Sequence, residues 1–239
     1  MLPFRSTAMP LSTVSKYPFL RCSMEKLNIE VTYDFICPWC WIGEEKLKTA
    51  ISQAHAGAET KIVFVPYELN PGMPAEGLDR KEYRSAKFGS WARSQAMDEH
   101  VTEAGNEVGL AFNYALAKRT PNTLAAHRLV WMLQQKHDVT ALVESIFHAY
   151  FSAGSDIGDV AVLTELAVVA GFDRPEVESF LSSDRGVDEV RALEVRATER
   201  GVNSVPSVKI GDSIISGAQS VALFRATLED ALKYSATPA

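Results

Sequence analysis

Two cysteines separated by two residues are the most chemically suggestive feature of the sequence. Cys37 and Cys40 enclose Pro38 and Trp39, between an apolar β-type run and a helix-compatible run. A thiolate is the nucleophile of thiol–disulfide exchange, and the free N–H groups of a helix N-terminus stabilise it. Proline suits the first helical turn, where its missing N–H would have no partner. The spacing therefore predicts a dithiol redox centre, with Cys37 at the cap and Cys40 one turn in, able to resolve a mixed disulfide.

Zinc binding and inert burial are the two competing interpretations of this cysteine pair. C-P-x-C is also half of a zinc knuckle, but a structural zinc site needs four ligands. The only other cysteine is Cys22, and the five histidines show no paired ligand spacing. Two inert buried cysteines would not require a strand, C-P-x-C and a helix in this order. We therefore predict redox chemistry with no metal and no prosthetic group.

The composition is that of an ordinary globular protein. Hydrophobic residues make up 46% of the 239 residues and charged residues 23%, and the net charge is −6. An acidic balance argues against nucleic acid and anionic membranes as partners. No apolar run is long enough to span a bilayer. We expect the partner to be a protein or small-molecule thiol or disulfide, and a homodimer is one expected assembly.

Residues 1–24 differ from the rest of the chain. They carry three basic residues and three prolines, and the first acidic residue is Glu25. This composition is typical of an organelle transit peptide, although Met24 makes an over-extended start site an equal alternative. We expect a disordered tail outside the fold. The expected compartment is the cytoplasm, or a mitochondrion or plastid if the tail is a genuine transit segment.

The first part of the chain has a strand–helix–strand pattern. Leu27–Tyr33 alternates as a strand, Pro38 to about Ala56 has helical periodicity, and Lys61–Tyr67 is a second strand. Pro66 must lie at a strand end or edge. Such a unit predicts two parallel strands joined by a right-handed crossover. Asn70–Pro74 contains turn residues and marks a boundary.

A helical region follows, and the last part returns to β-structure. No strand-like alternation interrupts residues 78–200. The periodic segments there are Arg80–Glu107, Thr123–Gln135, Val139–Ser152, Val160–Val169, Pro175–Leu181 and Val187–Arg200. Val205–Ile210 and Ser213–Ser216 then form a hairpin around Gly211–Asp212, and Val221–Tyr234 is an amphipathic helix. The pattern predicts an α/β thioredoxin-like fold (βαβ–ββα) from residues 25–76 and 201–236, with an inserted all-α domain at 77–200.

Three segments together resemble the DsbA-like thioredoxin family. They are F-I-C-P-W-C-W-I-G, P-N-T-L-A-A-H-R-L, and G-V-N-S-V-P-S-V-K-I with the later I-S-G-A-Q. Within that family the chain looks most like the FrnE-type branch, which is related to 2-hydroxychromene-2-carboxylate isomerases and kappa-class glutathione transferases. The resemblance covers about residues 27–234.

The resemblance implies roles for the residues at the cysteine pair. Cys37 matches the attacking thiol and Cys40 the resolving thiol. Pro206, after Val205, matches a cis-proline that faces the cysteines, where the Val205 backbone can pair with an extended substrate. Trp39 stands where a histidine is usual, and it is a candidate rim for the substrate.

The resemblance also implies a substrate-side loop at Asn122 and Thr123, and a G-A-Q turn that ends at Gln219. From its position alone, Asp34 is either a buried proton acceptor for Cys40 or a solvated strand-end acid. Glu44 is expected to be solvated. His127 is expected to serve packing or the surface rather than catalysis.

The resemblance implies a thiol–disulfide oxidoreductase, with glutathione as an alternative co-substrate. Isomerase and kappa-transferase relatives typically replace the first cysteine by serine, whereas this chain keeps both Cys37 and Cys40. That difference favours dithiol redox chemistry. Two alternatives stay open: a glutathione-dependent isomerase or transferase of the 2-hydroxychromene-2-carboxylate isomerase type, and a non-catalytic peptide-binding or chaperone module.

Overall fold

The computed structural model describes residues 26–235. The predicted tail, residues 1–24 with Cys22, lies outside these residues. The elements in chain order are β1 (Leu27–Tyr33), α1 (Pro38–Gln53), β2 (Thr60–Pro66), β3 (Leu78–Asp79), α2 (Arg80–Phe88), α3 (Trp91–Asn106), β4 (Arg119–Thr120), α4 (Leu124–Gln134), α5 (Thr140–Phe151), α6 (Val160–Val169), α7 (Arg174–Leu181), α8 (Val187–Glu199), β5 (Ser207–Ile210), β6 (Ser213–Ser216) and α9 (Val221–Ser235).

The main sheet has four strands in the order β2–β1–β5–β6. The central strand β1 runs parallel to β2, with Ile29 opposite Ile62, and antiparallel to β5, with Val31 opposite Val208. Pro66 is the last residue of the edge strand β2, where its missing N–H interrupts no ladder. This is the mixed sheet that the βαβ–ββα pattern predicts.

The helical region, α2 to α8, differs from its prediction in one long segment. The prediction of a single helix over residues 80–107 is wrong. The helix α2 stops at Phe88, because the next residue, Gly89, has a φ of 90° that a right-handed helix cannot continue through. Ser90 then caps α3, since its side-chain oxygen accepts a hydrogen bond from the N–H of Arg93 at 3.1 Å.

The prediction that no strand interrupts this region is also wrong. Leu78 and Asp79 of β3 pair antiparallel with Thr120 and Arg119 of β4. Strands of two residues are too short to show alternation in the sequence, and their pairing depends on residues some forty positions apart. The predicted boundaries between the two domains stay a prediction.

An aromatic cluster joins the helical region to α1. Trp41 of α1 stacks near-parallel on Phe147 and Phe151 of α5, with ring centroids 6.2 and 6.1 Å apart. Phe112 meets the Trp41 ring edge-on at 5.1 Å. These rings are held in contact by burial and by their favoured geometries. Across the described part of the chain, no helix is both long and apolar enough to cross a bilayer.

Candidate active site

The two cysteines lie in the first turn of α1. Cys37 has an extended backbone and occupies the N-cap, and Pro38 follows in the first turn of the helix. The N–H of Cys37 donates to the carbonyl of Asp34 at 3.0 Å, and the N–H of Cys40 donates to the carbonyl of Cys37 at 3.0 Å. Both thiols are free, and they differ in exposure: 6% for Cys37 and 1% for Cys40.

The start of β5 faces Cys37. The Cys37 thiol donates to the carbonyl of Val205 at 3.6 Å, within the range of a sulfur hydrogen bond. The Val205–Pro206 peptide bond is cis, as the resemblance implies. A Cβ at Gly43 would lie 3.1 Å from Cγ of Pro206. A glycine on this face of α1 therefore lets the helix pack closely against the proline.

Asp34 is buried behind the cysteine pair, so the solvated interpretation of this acid is wrong. Its carboxylate is 0% exposed. Oδ2 accepts a hydrogen bond from the N–H of Leu69 at 2.7 Å, and Oδ1 lies 3.3 Å from Nε2 of His127. The Leu69 N–H fixes one carboxylate oxygen, and the second is directed at the imidazole.

Cys40 lies in an environment that favours its neutral thiol. Burial raises the pKa of the Cys40 thiol well above its ordinary value, and the adjacent Cys37 thiol raises it further. The backbone of Asp34 opposes this shift by favouring the Cys40 thiolate, while its carboxylate charge adds to the shift. Cys40 must therefore lose its proton within the protein before it can act as a nucleophile.

The other predicted site residues have the following positions. The half-buried ring of Trp39 lies 5.6 Å, centroid to centroid, from the ring of His100 on α3. Asn122 donates from Nδ2 to the carbonyl of Met73 at 2.7 Å. Its Oδ1 accepts from the N–H of Leu124 at the start of α4 at 2.9 Å. Asn122 therefore ties the loop after β2 to α4.

The hydrogen bonds of Thr123 and Gln219 are also made to nearby residues of the chain. Thr123 is buried at the N-cap of α4, and its carbonyl accepts a hydrogen bond from the N–H of His127 at 3.0 Å. The exposed Gln219 donates from Nε2 to the carbonyl of Ser216 at 2.9 Å. Roles in substrate contact for Asn122 and Thr123, and a supporting role for Gln219, stay predictions.

Two residues at the site have environments that the sequence does not indicate. Glu44 is 2% exposed, and neither carboxylate oxygen has a hydrogen-bond partner among the described residues, so the solvated interpretation is wrong. Burial raises the pKa of Glu44 to about 8, although Lys48 opposes the shift. His127 packs on Tyr33 and Phe35 as expected, but it also faces Asp34.

A metal ion needs several ligating side chains that converge on one point. Within residues 26–235, no group of three or more histidine, cysteine or acidic side chains lies close enough together to hold a metal ion. The groups that contact or act on Cys37 and Cys40 include the Val205 carbonyl and Asp34, and the imidazole of His127 lies behind the Asp34 carboxylate.

Residues 28–229 match a protein family described as the DSBA-like thioredoxin domain. The chain is also similar to YwbO of Bacillus subtilis (strain 168), an uncharacterized protein. The two are 27% identical over 208 residues, which cover 87% of this chain and 98% of YwbO.

Solved structures have the same fold. The probable DsbA oxidoreductase SCO1869 from Streptomyces coelicolor superposes with a TM-score of 0.80 at 28% identity, covering 89% of this chain and 92% of that one. A 2-hydroxychromene-2-carboxylate isomerase gives 0.66 at 17% identity over 88% and 98%. The cytosolic disulfide reductase DsbM from Pseudomonas aeruginosa, solved with GSH, gives 0.61 at 16% identity over 87% and 100%. The last two similarities show the fold alone.

Proposed function

The chain belongs to the DSBA-like thioredoxin domain family, and from this membership we propose that it is a thiol–disulfide oxidoreductase acting through Cys37 and Cys40. One observation carries the proposal. Cys37 caps α1 and faces the Val205 carbonyl, whereas Cys40 is buried one turn further on. The two thiols are therefore unequal, as a nucleophile and a resolving thiol must be.

The reaction proceeds in two exchanges. In the reducing direction, the Cys37 thiolate attacks one sulfur of a substrate disulfide, and the other substrate sulfur leaves as a thiolate. Cys40 then loses its proton to Asp34 and attacks Sγ of Cys37. The protein disulfide forms, and the second substrate thiolate leaves. The substrate gains two electrons, the protein loses two, and oxidation of a dithiol is the reverse sequence.

The substrate binds beside the N-terminus of α1 in this proposal. An extended peptide can pair with the Val205 backbone next to Pro206, and the half-buried Trp39 ring supplies an apolar rim. Contact of Asn122 and Thr123 with this substrate is part of the proposal and rests on the resemblance. Either a protein thiol or a small thiol such as glutathione fits this chemistry, and GSH is present in the DsbM structure. The cytoplasm is the compartment we propose, and a homodimer stays a prediction.

Trapping of mixed disulfides tests the proposal. Cys40→Ser should leave Cys37 able to attack but unable to release its substrate, so covalent adducts should accumulate in cells and disappear on reduction with dithiothreitol. Cys37→Ser is the matched control and should form almost none, because the initiating nucleophile is missing.

The same experiment separates the alternatives. A glutathione-dependent isomerase would turn over an aromatic substrate without Cys40, and its Cys40→Ser variant would trap little protein. A non-catalytic binding module would retain its partners in the double cysteine variant and would not reduce insulin. Either result in place of reducible adducts would contradict the redox proposal.

A further inference from the structure

The Asp34–His127 pair lies fully inside the protein, directly behind the resolving thiol. Both side chains are 0% exposed, and the two residues are 93 positions apart in the chain. Nε2 of His127 lies 3.3 Å from Oδ1 of Asp34. At this distance the ring nitrogen and the carboxylate oxygen form a hydrogen bond, and each buried group orients the other.

The rest of the His127 imidazole is buried among aromatic rings. Nδ1 of His127 is buried and has no hydrogen-bond partner in the described part of the chain. The ring packs against Tyr33 at 5.0 Å and Phe35 at 5.2 Å, between centroids. A buried polar atom without a partner costs stability, so its presence calls for a functional explanation.

The ionisable groups near the pair come from three elements. Tyr33 lies at the end of β1 and Cys40 in α1, and the Asp34 charge raises the pKa of both. Glu68, in the loop after β2, is influenced by Asp34 in the same way and is paired with Arg191 of α8. Burial favours the neutral forms of Tyr33, Cys40 and Glu68, and the buried Glu44 of α1 also acts on Tyr33. The carboxylate whose charge raises the pKa of Cys40 is that of Asp34.

We propose that His127 is a positioning residue for the resolving step: its contact with Oδ1 holds the Asp34 carboxylate in place as the acceptor of the proton that Cys40 releases. This inference rests on the proposed function. The Cys40 S–H bond gives its proton to Asp34, and the resulting thiolate forms a bond with Sγ of Cys37. The bond between Cys37 and the substrate sulfur breaks, and the substrate thiolate leaves with its electron pair and takes the proton from Asp34.

The two thiol reactions can be followed separately with 5,5′-dithiobis(2-nitrobenzoic acid). In a Cys22→Ser background, the first nitrothiobenzoate released reports attack by Cys37, and the second reports resolution by Cys40. His127→Leu removes the hydrogen bond to Asp34, whereas His127→Gln keeps an amide that can make one. We expect His127→Leu to leave the first release unchanged and to slow the second about 10-fold at neutral pH, less than the ~100-fold or more that general acid–base catalysis typically contributes, because the Asp34 acceptor is still present. His127→Gln should restore most of the rate of the second release.

Matched variants decide whether His127 acts through Asp34. If it does, the double variant Asp34→Asn/His127→Leu should resolve no more slowly than Asp34→Asn alone, because coupled effects do not add. His137→Gln is the control, since His137 packs on Phe172 at 5.5 Å just beyond the other end of α4. It should leave both releases unchanged.

Three results would overturn the inference: an unchanged second release in folded His127→Leu, equal slowing of both releases, or additive effects in the double variant. Should His127→Leu fail to fold, the pH profile of the second release in the Cys22→Ser protein decides. A rate that rises about tenfold per pH unit would mean that solvent takes the proton directly. If the proposed function itself is wrong, the result is distinguishable, because the Cys22→Ser protein would then give no second release at all.

Discussion

Glu44 provides the most direct test of how burial in α1 changes the stability of an ionisable side chain. Its carboxyl is buried in α1 and has no hydrogen-bond partner within residues 26–235. We predict that Glu44→Gln stabilises the protein at alkaline pH. The amide has nearly the shape of the carboxyl and cannot ionise, so it avoids the cost of a buried negative charge.

The size and sign of the effect follow from the raised pKa. Burial raises the pKa of Glu44 from its ordinary value of 4.5 to about 8. The folded state therefore binds this proton more tightly than the unfolded state, and the free energy of unfolding falls as pH rises between those two values. At about 1.4 kcal/mol per pH unit, the full cost of ionisation above that window is about 5 kcal/mol.

Urea unfolding of the reduced protein across this pH range measures the effect. Glu44→Gln should match wild type at about pH 4, below both pKa values, and exceed it by up to about 5 kcal/mol at about pH 9. Glu45→Gln is the control, because Glu45 is partly exposed and pairs with Lys48 at 2.7 Å. A difference between Glu44→Gln and wild type that does not vary with pH would show that the Glu44 carboxyl is not desolvated.

Three further outcomes are expected. Brief alkylation at mildly acidic pH, mapped by peptide mass spectrometry, should label Cys37 before Cys40, because burial raises the pKa of Cys40; equal labelling would reverse their roles. Arg80→Met should cost about 3 kcal/mol in urea unfolding, since it removes a buried ion-pair partner of an α3 carboxylate. Gly105→Ala should lower the free energy of unfolding by about 1–2 kcal/mol, because its Cβ would lie 2.4 Å from the packed Phe112 ring. An unchanged or higher value in either variant would contradict the packing described.

The parts of the fold that were predicted correctly have local signals. β1, β6 and α6 have the predicted boundaries. Alternation, helical periodicity and capping all depend on residues that are close together in the sequence, so they can be detected there. Asp159 caps α6 and Asp173 caps α7, each accepting a hydrogen bond from a backbone N–H two or three residues further on. The break at Gly89 also had a local signal, a glycine followed by serine, which the surrounding helical periodicity obscured.

The candidate site also has some features with local sequence signals and others without. The spacing of Cys37 and Cys40 identifies the thiols, because their positions in one helical turn depend on neighbouring residues only. The burial of Asp34 and Glu44 and the contact with His127 depend on helices from distant parts of the chain. Sequence patterns contain no such distances, so the structure was needed to choose between the buried and the solvated interpretation of Asp34 and to identify its histidine partner.

The helical region therefore packs against the helix that carries the cysteine pair and also supplies a side chain next to the buried acid. Position in the first turn of α1 makes Cys37 and Cys40 different, but burial is the largest cause of the raised pKa of Cys40. Trp41, the next residue, packs on the rings of α5, and α4 supplies the histidine that faces Asp34. In the proposed mechanism the proton of Cys40 goes to Asp34, which precedes α1 in the chain. His127, from the first turn of α4, packs in the core beside the cysteine pair and contacts that carboxylate, so one residue of the helical region both fills the core and holds the acid of the site.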